Sequence, residues 1–161
     1  MVQSENGTHN QKETIMPNRP IIKVIQNRNF LTSTPEKSVK AVATHMQAMH
    51  TGAVLVISPM DGRLIGICTE RDLAFKVLVG GLDPLTTPVE AVMTPYPTAI
   101  GPDKPFGHAL HLMHEGGFRH MPVIAPDGRP IGLVSAADAL GLEIFNFGAE
   151  LSRREQITEI L

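Results

Sequence analysis

The chain has 161 residues, with 14 lysines and arginines against 16 aspartates and glutamates and a formal charge of −2 at pH 7. This length suits one domain or two small halves that share a core. The near-neutral charge argues against a nucleic-acid clamp, no apolar run approaches the ~20 residues of a membrane span, and the single cysteine, Cys68, excludes an internal disulfide framework. We therefore expect a soluble, cytoplasmic protein with no nucleic-acid and no membrane partner.

The first 19 residues differ from the rest of the chain. They are rich in Gln, Asn, Glu and Thr and show no apolar period, which predicts a disordered tail over 1–19. After this tail the sequence repeats itself: Asp61–Gly66 recurs as Asp127–Gly132, and the same offset of 66 carries Asp72 onto Asp138. The chain therefore contains two copies of one unit.

Upstream of the Asp-Gly turns the offset becomes 67, with Met60 as a one-residue insertion. The repeat predicts four segments after the tail: 20–80 as repeat 1, 81–91 as a linker, 92–147 as repeat 2 and 148–161 as a C-terminal helix.

Each copy predicts the element order β-α-β-β-α. A short extended piece (29–33; 97–100) precedes an amphipathic helix with apolar residues at i, i+3, i+4 and i+7. We expect Gly52 and Gly116–Gly117 to end these helices. Two apolar runs flanking an Asp-Gly turn then predict a hairpin, and a second helix follows. The fold class is therefore α/β (α+β), built from two tandem repeats.

The junction between hairpin and second helix carries the sharpest motif. It reads Gly66-Ile67-Cys68-Thr69-Glu70-Arg71-Asp72 in the first copy, and Gly132, Ser135 and Asp138 occupy the same places in the second. A Thr or Ser three residues before an acid is typical of a helix capping box. The motif also suits a nucleotide, because a carboxylate accepts hydrogen bonds from ribose hydroxyls and a glycine lets a ligand approach the backbone. The residues leave both interpretations open.

Together with Val92-Met93-Thr94-Pro95 and Phe118-Arg119-His120-Met121-Pro122-Val123, these junctions make the chain resemble two tandem CBS domains, the Bateman module. The resemblance covers about residues 21–147. It implies two repeats related by a pseudo-twofold axis, with two clefts that bind AMP, ADP, ATP, NAD or S-adenosylmethionine in the family. It also implies a disk-like homodimer.

The resemblance assigns the ribose to the two junctions. Thr69 and Asp72 would hold it in one cleft, and Ser135 and Asp138 in the other. Arg71 would reach a phosphate or point into solvent.

The residues before Met121 would lie near the base and the phosphate, namely Phe118, Arg119 and His120. Their counterparts in the first repeat carry no charge: Thr51, Gly52 and Ala53. We therefore expect one strong site and one weaker or empty site.

These features predict a regulatory, signal-transduction module that binds an adenosyl nucleotide, AMP, ADP or ATP above all, and senses energy or metabolite state. It would require no cofactor. The alternative is a ligand-free docking module or regulatory subunit of a partner enzyme. We expect no catalytic activity, because no nucleophile has an assigned base. We expect no metal site either, because the helical row of His108, His111 and His114 spreads over ~120°. Cys68 reads as a buried, inert thiol.

Overall fold

The computed structural model describes residues 18–140. The predicted tail before residue 18 and the predicted C-terminal helix 148–161 lie outside the described residues. The helices are α1 (Ile21–Ile25), α2 (Val39–Ala48), α3 (Glu70–Asp72), which continues as a π-helical segment (Leu73–Val79), a 3-10 turn (Val89–Ala91) and α4 (Phe106–Gly116). The strands are β1 (Thr32–Ser33), β2 (Ala53–Ile57), β3 (Leu64–Thr69), β4 (Thr94–Pro95), β5 (His120–Ile124) and β6 (Pro130–Ser135). Residues 137–140 are helical. Over the described part of the chain, no helix is long and apolar enough to cross a membrane.

The predicted mixed α and β fold is confirmed. In the first sheet the order is β1-β2-β3-β4, with β1 parallel to β2 and the other neighbours antiparallel. The second sheet pairs β5 with β6, and a single parallel bridge from Ile100 to Val123 replaces the β1–β2 pairing. The predicted extended piece at 97–100 therefore contributes only this bridge.

The two hairpins match in detail, and the inserted Met60 is absorbed by a turn. Both hairpins shift register at equivalent points, after Val56 and after Val123. The first turn closes with the Ser58 amide on the Arg63 carbonyl and leaves Met60 94% exposed. The insertion therefore changes the turn and leaves the strands in the same register.

Strand β2 is buried on both faces, which explains its continuous apolar sequence. Val54 and Val56 pack in the core that α2 covers. Ala53 and Leu55 point the other way, into a cluster that includes Leu133 of the second repeat. The sheet of the first repeat thus packs against its own helix on one side and against the second repeat on the other.

The leading segment of each repeat packs on the other repeat. At the start of the first repeat, the Ile21 amide donates to the Lys104 carbonyl (2.9 Å), and the Phe106 amide donates to the Arg19 carbonyl (2.8 Å). Ile21, at 0% exposure, lies in the core of the second repeat with Phe106 and Val134. The first helix of the chain therefore completes the core of the repeat that is made last.

The segment before the second repeat makes the equivalent contacts with the first. The Val89 amide donates to the Lys37 carbonyl (2.7 Å), and the Val39 amide donates to the Thr87 carbonyl (2.9 Å). Val89 and Val92 are buried in the core of the first repeat. Part of the segment predicted as a linker, 81–91, is thus built into that core, and the exchange follows the pseudo-twofold relation.

The glycines three residues before the caps serve this exchange. A Cβ on Gly66 would collide with the Met93 side chain, and a Cβ on Gly132 would lie 2.6 to 3.0 Å from three carbons of Ile25. The prediction that these glycines admit a ligand is therefore wrong, because the space beside each one is filled by the exchanged segment.

We expect Gly132→Ala to destabilise the protein by about 1–3 kcal/mol, because the new methyl overpacks against the β-branched Ile25. Urea unfolding of Gly132→Ala, Ile25→Ala and the double variant measures this coupling. In the Ile25→Ala background the Cγ2 and Cδ1 carbons are gone while Cβ stays 3.0 Å from the new methyl, so the cost should fall clearly without vanishing. An equal cost in both backgrounds would contradict the contact.

Candidate functional site

A cleft of about 740 Å³ lies between the two repeats. The first repeat contributes the junction at Thr69–Asp72 and the start of the π-helical segment. The second repeat contributes its entry segment and the turn before β5. The lining residues are Gly52, Ile67, Thr69, Glu70, Arg71, Asp72, Ala74, Phe75, Thr94, Pro97, Thr98, Gly117, Phe118, Arg119 and His120. A molecule in this cleft would contact both repeats at once.

The Thr69–Asp72 junction forms a complete capping box. The Thr69 hydroxyl accepts from the Asp72 amide (3.4 Å), while Asp72 Oδ2 accepts from the Thr69 amide (2.9 Å) and lies 3.0 Å from the Thr69 hydroxyl. The box starts α3 at the cleft wall, as the capping interpretation predicts. The same residues face the cleft, so capping and ligand contact do not exclude each other.

Lys76 links this junction to the second repeat. Its ammonium lies 2.7 Å from Asp72 Oδ1 and donates to the Val92 carbonyl, also at 2.7 Å. Asp72 is therefore held through both oxygens, with three of about four acceptor positions used. One acceptor position remains for a ligand hydroxyl. A ligand hydroxyl that bound Oδ1 itself would compete with Lys76.

The wall formed by the second repeat carries Phe118, Arg119 and His120. The wall formed by the first repeat carries Glu70 and Arg71 beside Thr69 and Asp72. Arg119 and Arg71 are exposed, and the Arg71 guanidinium lies 5.4 Å from the centre of the Phe75 ring. The structure thus brings six of the predicted site residues into one cleft, namely Thr69, Arg71, Asp72, Phe118, Arg119 and His120. It adds Glu70, which sits inside the junction motif but was not singled out because only Thr69 and Asp72 recur in both copies.

His120 lies where the two repeats meet, and its surroundings favour the neutral ring. Burial lowers the pKa of His120, and the nearby Arg119 acts in the same direction. The carboxylates of Glu70 and Asp138 oppose this shift without cancelling it. His120 is therefore a neutral hydrogen-bonding group in the cleft near pH 7.

Gly52 does not end the first helix, contrary to the prediction. Helix α2 ends at Ala48, and His50 takes the left-handed backbone conformation (φ 50°) that Gly117 takes after α4 (φ 68°). Gly52 instead faces the cleft, where an added Cβ would lie 3.2 Å from His120 Nε2 and 3.4 Å from Glu70 Oε2. Its missing side chain leaves room for these two groups.

The other four predicted site residues do not line this cleft, although Ser135 pairs with His120 across the sheet and Ala53 pairs with Thr69. The Ser135 amide donates to Asp138 Oδ2 (2.8 Å), so the second junction has the same backbone arrangement as the first. Asp138 also forms an ion pair with Arg28 at 2.6 Å. Ala53 is fully buried, and the Thr51 hydroxyl donates to the Ala53 carbonyl. A smaller cavity of about 320 Å³ near Tyr96 and the hairpin turns contains none of the four.

Neither a three-residue metal site nor a reactive thiol is found among the described residues. Within residues 18–140, no three His, Cys, Asp or Glu side chains come together as metal ligands would. Cys68 is fully buried, as predicted, and burial raises the pKa of its thiol to about 12. The thiol is therefore protonated and shielded at neutral pH.

Comparison with known proteins agrees with this architecture. The family model of the CBS domain matches residues 22–78 and 89–143. A CBS domain-containing protein of Arabidopsis thaliana is 33% identical over 109 residues, which are 68% of this chain and 20% of that protein. The chain thus spans about a fifth of the length of this relative.

Two solved structures share the fold along most of their length. A protein with CBS domains from Burkholderia ambifaria has a TM-score of 0.71 and 28% identity, over 78% of this chain and 94% of that one. A CBS domain protein from Pyrobaculum aerophilum, complexed with AMP, has a TM-score of 0.70 and 20% identity, over 80% of this chain and 99% of that one. The second likeness is one of fold alone.

The lowered pKa of His120 predicts a pH-dependent stability. The unfolded chain takes up this proton near pH 6.5, whereas the folded chain resists it, so the contribution is full above that pH and is lost as pH falls through the lowered pKa. Urea unfolding at about pH 7.5 and about pH 5 should therefore show a smaller acid loss in His120→Gln than in the wild type. His108→Gln, at an exposed position of α4, is the control and should behave as the wild type. Identical acid losses in all three proteins would refute the prediction.

Proposed function

The chain belongs to the CBS domain family, and on that premise we propose that it is a regulatory module that binds an adenosyl nucleotide in the cleft between its repeats. The observation that carries the proposal is the placement of an acceptor-rich junction opposite a cationic side chain. Thr69 and Asp72 stand on one wall, and Arg119 stands on the other. A nucleotide has hydroxyls at its ribose and negative charge at its phosphate, and this cleft offers partners for both.

Each end of such a ligand has a distinct partner. The ribose hydroxyls would donate to the open acceptor position of Asp72 and to the Thr69 hydroxyl. Arg119, with Arg71 as a second cation, would hold the phosphate through a planar guanidinium. Phe118, Phe75 and Ile67 supply apolar surface for the base. AMP, the ligand of the Pyrobaculum structure, is the first nucleotide to test. ADP, ATP, NAD and S-adenosylmethionine stay within the proposal.

Sensing would follow from the shared cleft. A ligand that contacts both walls favours the arrangement of repeats in which both contacts form. Lys76 offers a route for this effect, because it joins Asp72 to the carbonyl of Val92, and Val92 lies in the exchanged segment. A change at Asp72 would therefore reach the entry of the second repeat.

We also propose that the chain forms a homodimer through the outer face of its π-helical segment. Phe75, Leu78 and Val79 are 59%, 81% and 77% exposed, a cluster of apolar side chains that is unusual on a free surface. A cytoplasmic location and the existence of a partner enzyme stay predictions from the sequence.

Isothermal titration of AMP and adenosine distinguishes what each wall of the cleft contributes to binding. Asp72→Asn keeps an acceptor for the cap but removes the charge, and it should weaken AMP and adenosine alike by at least about tenfold. Arg119→Gln should weaken AMP by about tenfold and leave adenosine unchanged, because only AMP carries the phosphate. Arg63→Gln, an exposed arginine of the hairpin turn, is the control. If no adenosyl compound binds the wild type, the docking alternative replaces the proposal.

Sedimentation of the wild type and two variants tests the dimer. The wild type should sediment at twice the mass of the chain, and Leu78→Glu should sediment as a monomer, because a buried carboxylate at a contact is costly. Met60→Glu replaces an equally exposed apolar residue on the hairpin turn and should stay dimeric. A monomeric wild type, or a dimeric Leu78→Glu, would reject this face as the contact.

A further inference from the structure

The second junction presents its carboxylate in the same way as the first. Asp138 Oδ2 accepts from the Ser135 amide at 2.8 Å, just as Asp72 Oδ2 accepts from the Thr69 amide at 2.9 Å. The backbone just after each cap is also anchored alike: the Ala136 amide donates to the Arg119 carbonyl, and Glu70 makes the equivalent bond. The two junctions thus share these backbone bonds, whereas among the described residues the hydroxyl bonds of the capping box are formed between Thr69 and Asp72 alone.

The second oxygen of each carboxylate has a different partner. Asp72 Oδ1 meets Lys76, one turn further along the same helix. The repeat places Leu142 at the position of Lys76, so the second copy has no cation there. Asp138 Oδ1 instead meets the guanidinium of Arg28, which comes from 110 residues away and lies at 2.6 Å.

Arg28 is directed toward this carboxylate by a fixed turn. Asn27 takes a left-handed backbone conformation (φ 61°) directly after α1, and the Arg28 amide donates to the Ile25 carbonyl at 3.1 Å. Because α1 is anchored in the core of the second repeat, the turn is carried to the Asp138 side of the molecule. The Asp138 side chain is only 14% exposed, so this ion pair is shielded more than a typical surface pair.

The positions that the repeat pairs with three charged residues of the cleft are uncharged. The places of Glu70 and Arg71 are taken by Ala136 and Ala137, and the place of Arg119 is taken by Gly52. Both a guanidinium and a ribose hydroxyl would make a charge-assisted bond to this carboxylate, but only the guanidinium adds the attraction of a second, opposite charge. A ribose hydroxyl at Asp138 Oδ1 would thus compete with Arg28. The residues at the places of Arg71 and Arg119 supply no cation for the phosphate of the nucleotide.

We infer that Arg28 is the residue that confines adenosyl binding to the Thr69–Asp72 cleft, by occupying the Asp138 carboxylate that a second ligand would need. The inference rests on the proposed function. It makes the chain a one-site module although both junction motifs are intact, and it assigns this role to a residue outside either motif.

Binding stoichiometry tests the inference. Equilibrium dialysis of adenosine, which needs no phosphate partner, should give one molecule per chain for the wild type and two for Arg28→Ala. Adding Asp138→Asn to Arg28→Ala should return the count to one. Adding Asp72→Asn instead should leave one molecule, now at the second junction. Arg63→Ala is the matched control and should stay at one.

The outcomes separate the two proposals. Two molecules on the wild type, or one on Arg28→Ala, would overturn the role of Arg28 and leave the proposed function standing. No adenosine and no AMP on any protein would overturn the proposed function, and the inference with it. Arg28→Gln, which keeps much of the side-chain volume, replaces Arg28→Ala should the alanine variant fail to unfold cooperatively, and it carries the same expected counts.

Discussion

The exchange of leading segments between the repeats is the contact on which the rest of this structure depends. Each segment closes the core of the opposite repeat and hydrogen-bonds to the start of its first helix, as Ile21 does with Lys104 and Val89 does with Lys37. Neither repeat therefore has a complete core of its own. The exchange also sets the cleft, because it fixes how the junction of one repeat faces the turn before β5 of the other. A ligand site between the repeats is thus a product of the same contacts that stabilise the fold.

The internal repeat made much of the fold predictable, because Asp-Gly turns and helical apolar periods are local signals. The exchange was not predictable in this way. Its two segments share only a proline and apolar spacing, and their partners lie far away in sequence. The role of Gly66 and Gly132 was missed for the same reason, since a glycine at a junction suits a ligand and a packed side chain equally well. Gly52 was misread because His50 adopts the left-handed conformation without being a glycine.

The features of the candidate site that lie in one local motif could also be predicted, whereas those that join distant residues could not. Thr69 and Asp72 could be found because one motif carries both, but the motif alone could not separate a helix cap from a ligand contact. The structure shows why: a carboxylate that caps the helix through one oxygen keeps the other for a further partner, here Lys76. The asymmetry between the junctions was anticipated from the uncharged residues that replace Arg119 and His120. The ion pair between Arg28 and Asp138 was not, because no pattern links two residues 110 positions apart.

The exchanged helix α1 has a consequence for how the chain is made. Ribosomal synthesis proceeds from the N-terminus, so Ile21 and Val24 emerge well before the strand that carries Val134, against which they are finally buried. Until the second repeat is synthesised, these apolar side chains lack the residues with which they form a core. The first repeat can gather its core earlier, once Val89 and Val92 have appeared. The core of the second repeat is therefore completed after that of the first. Helix α1 leaves the ribosome before the other described helices, yet it is among the last to reach its native place.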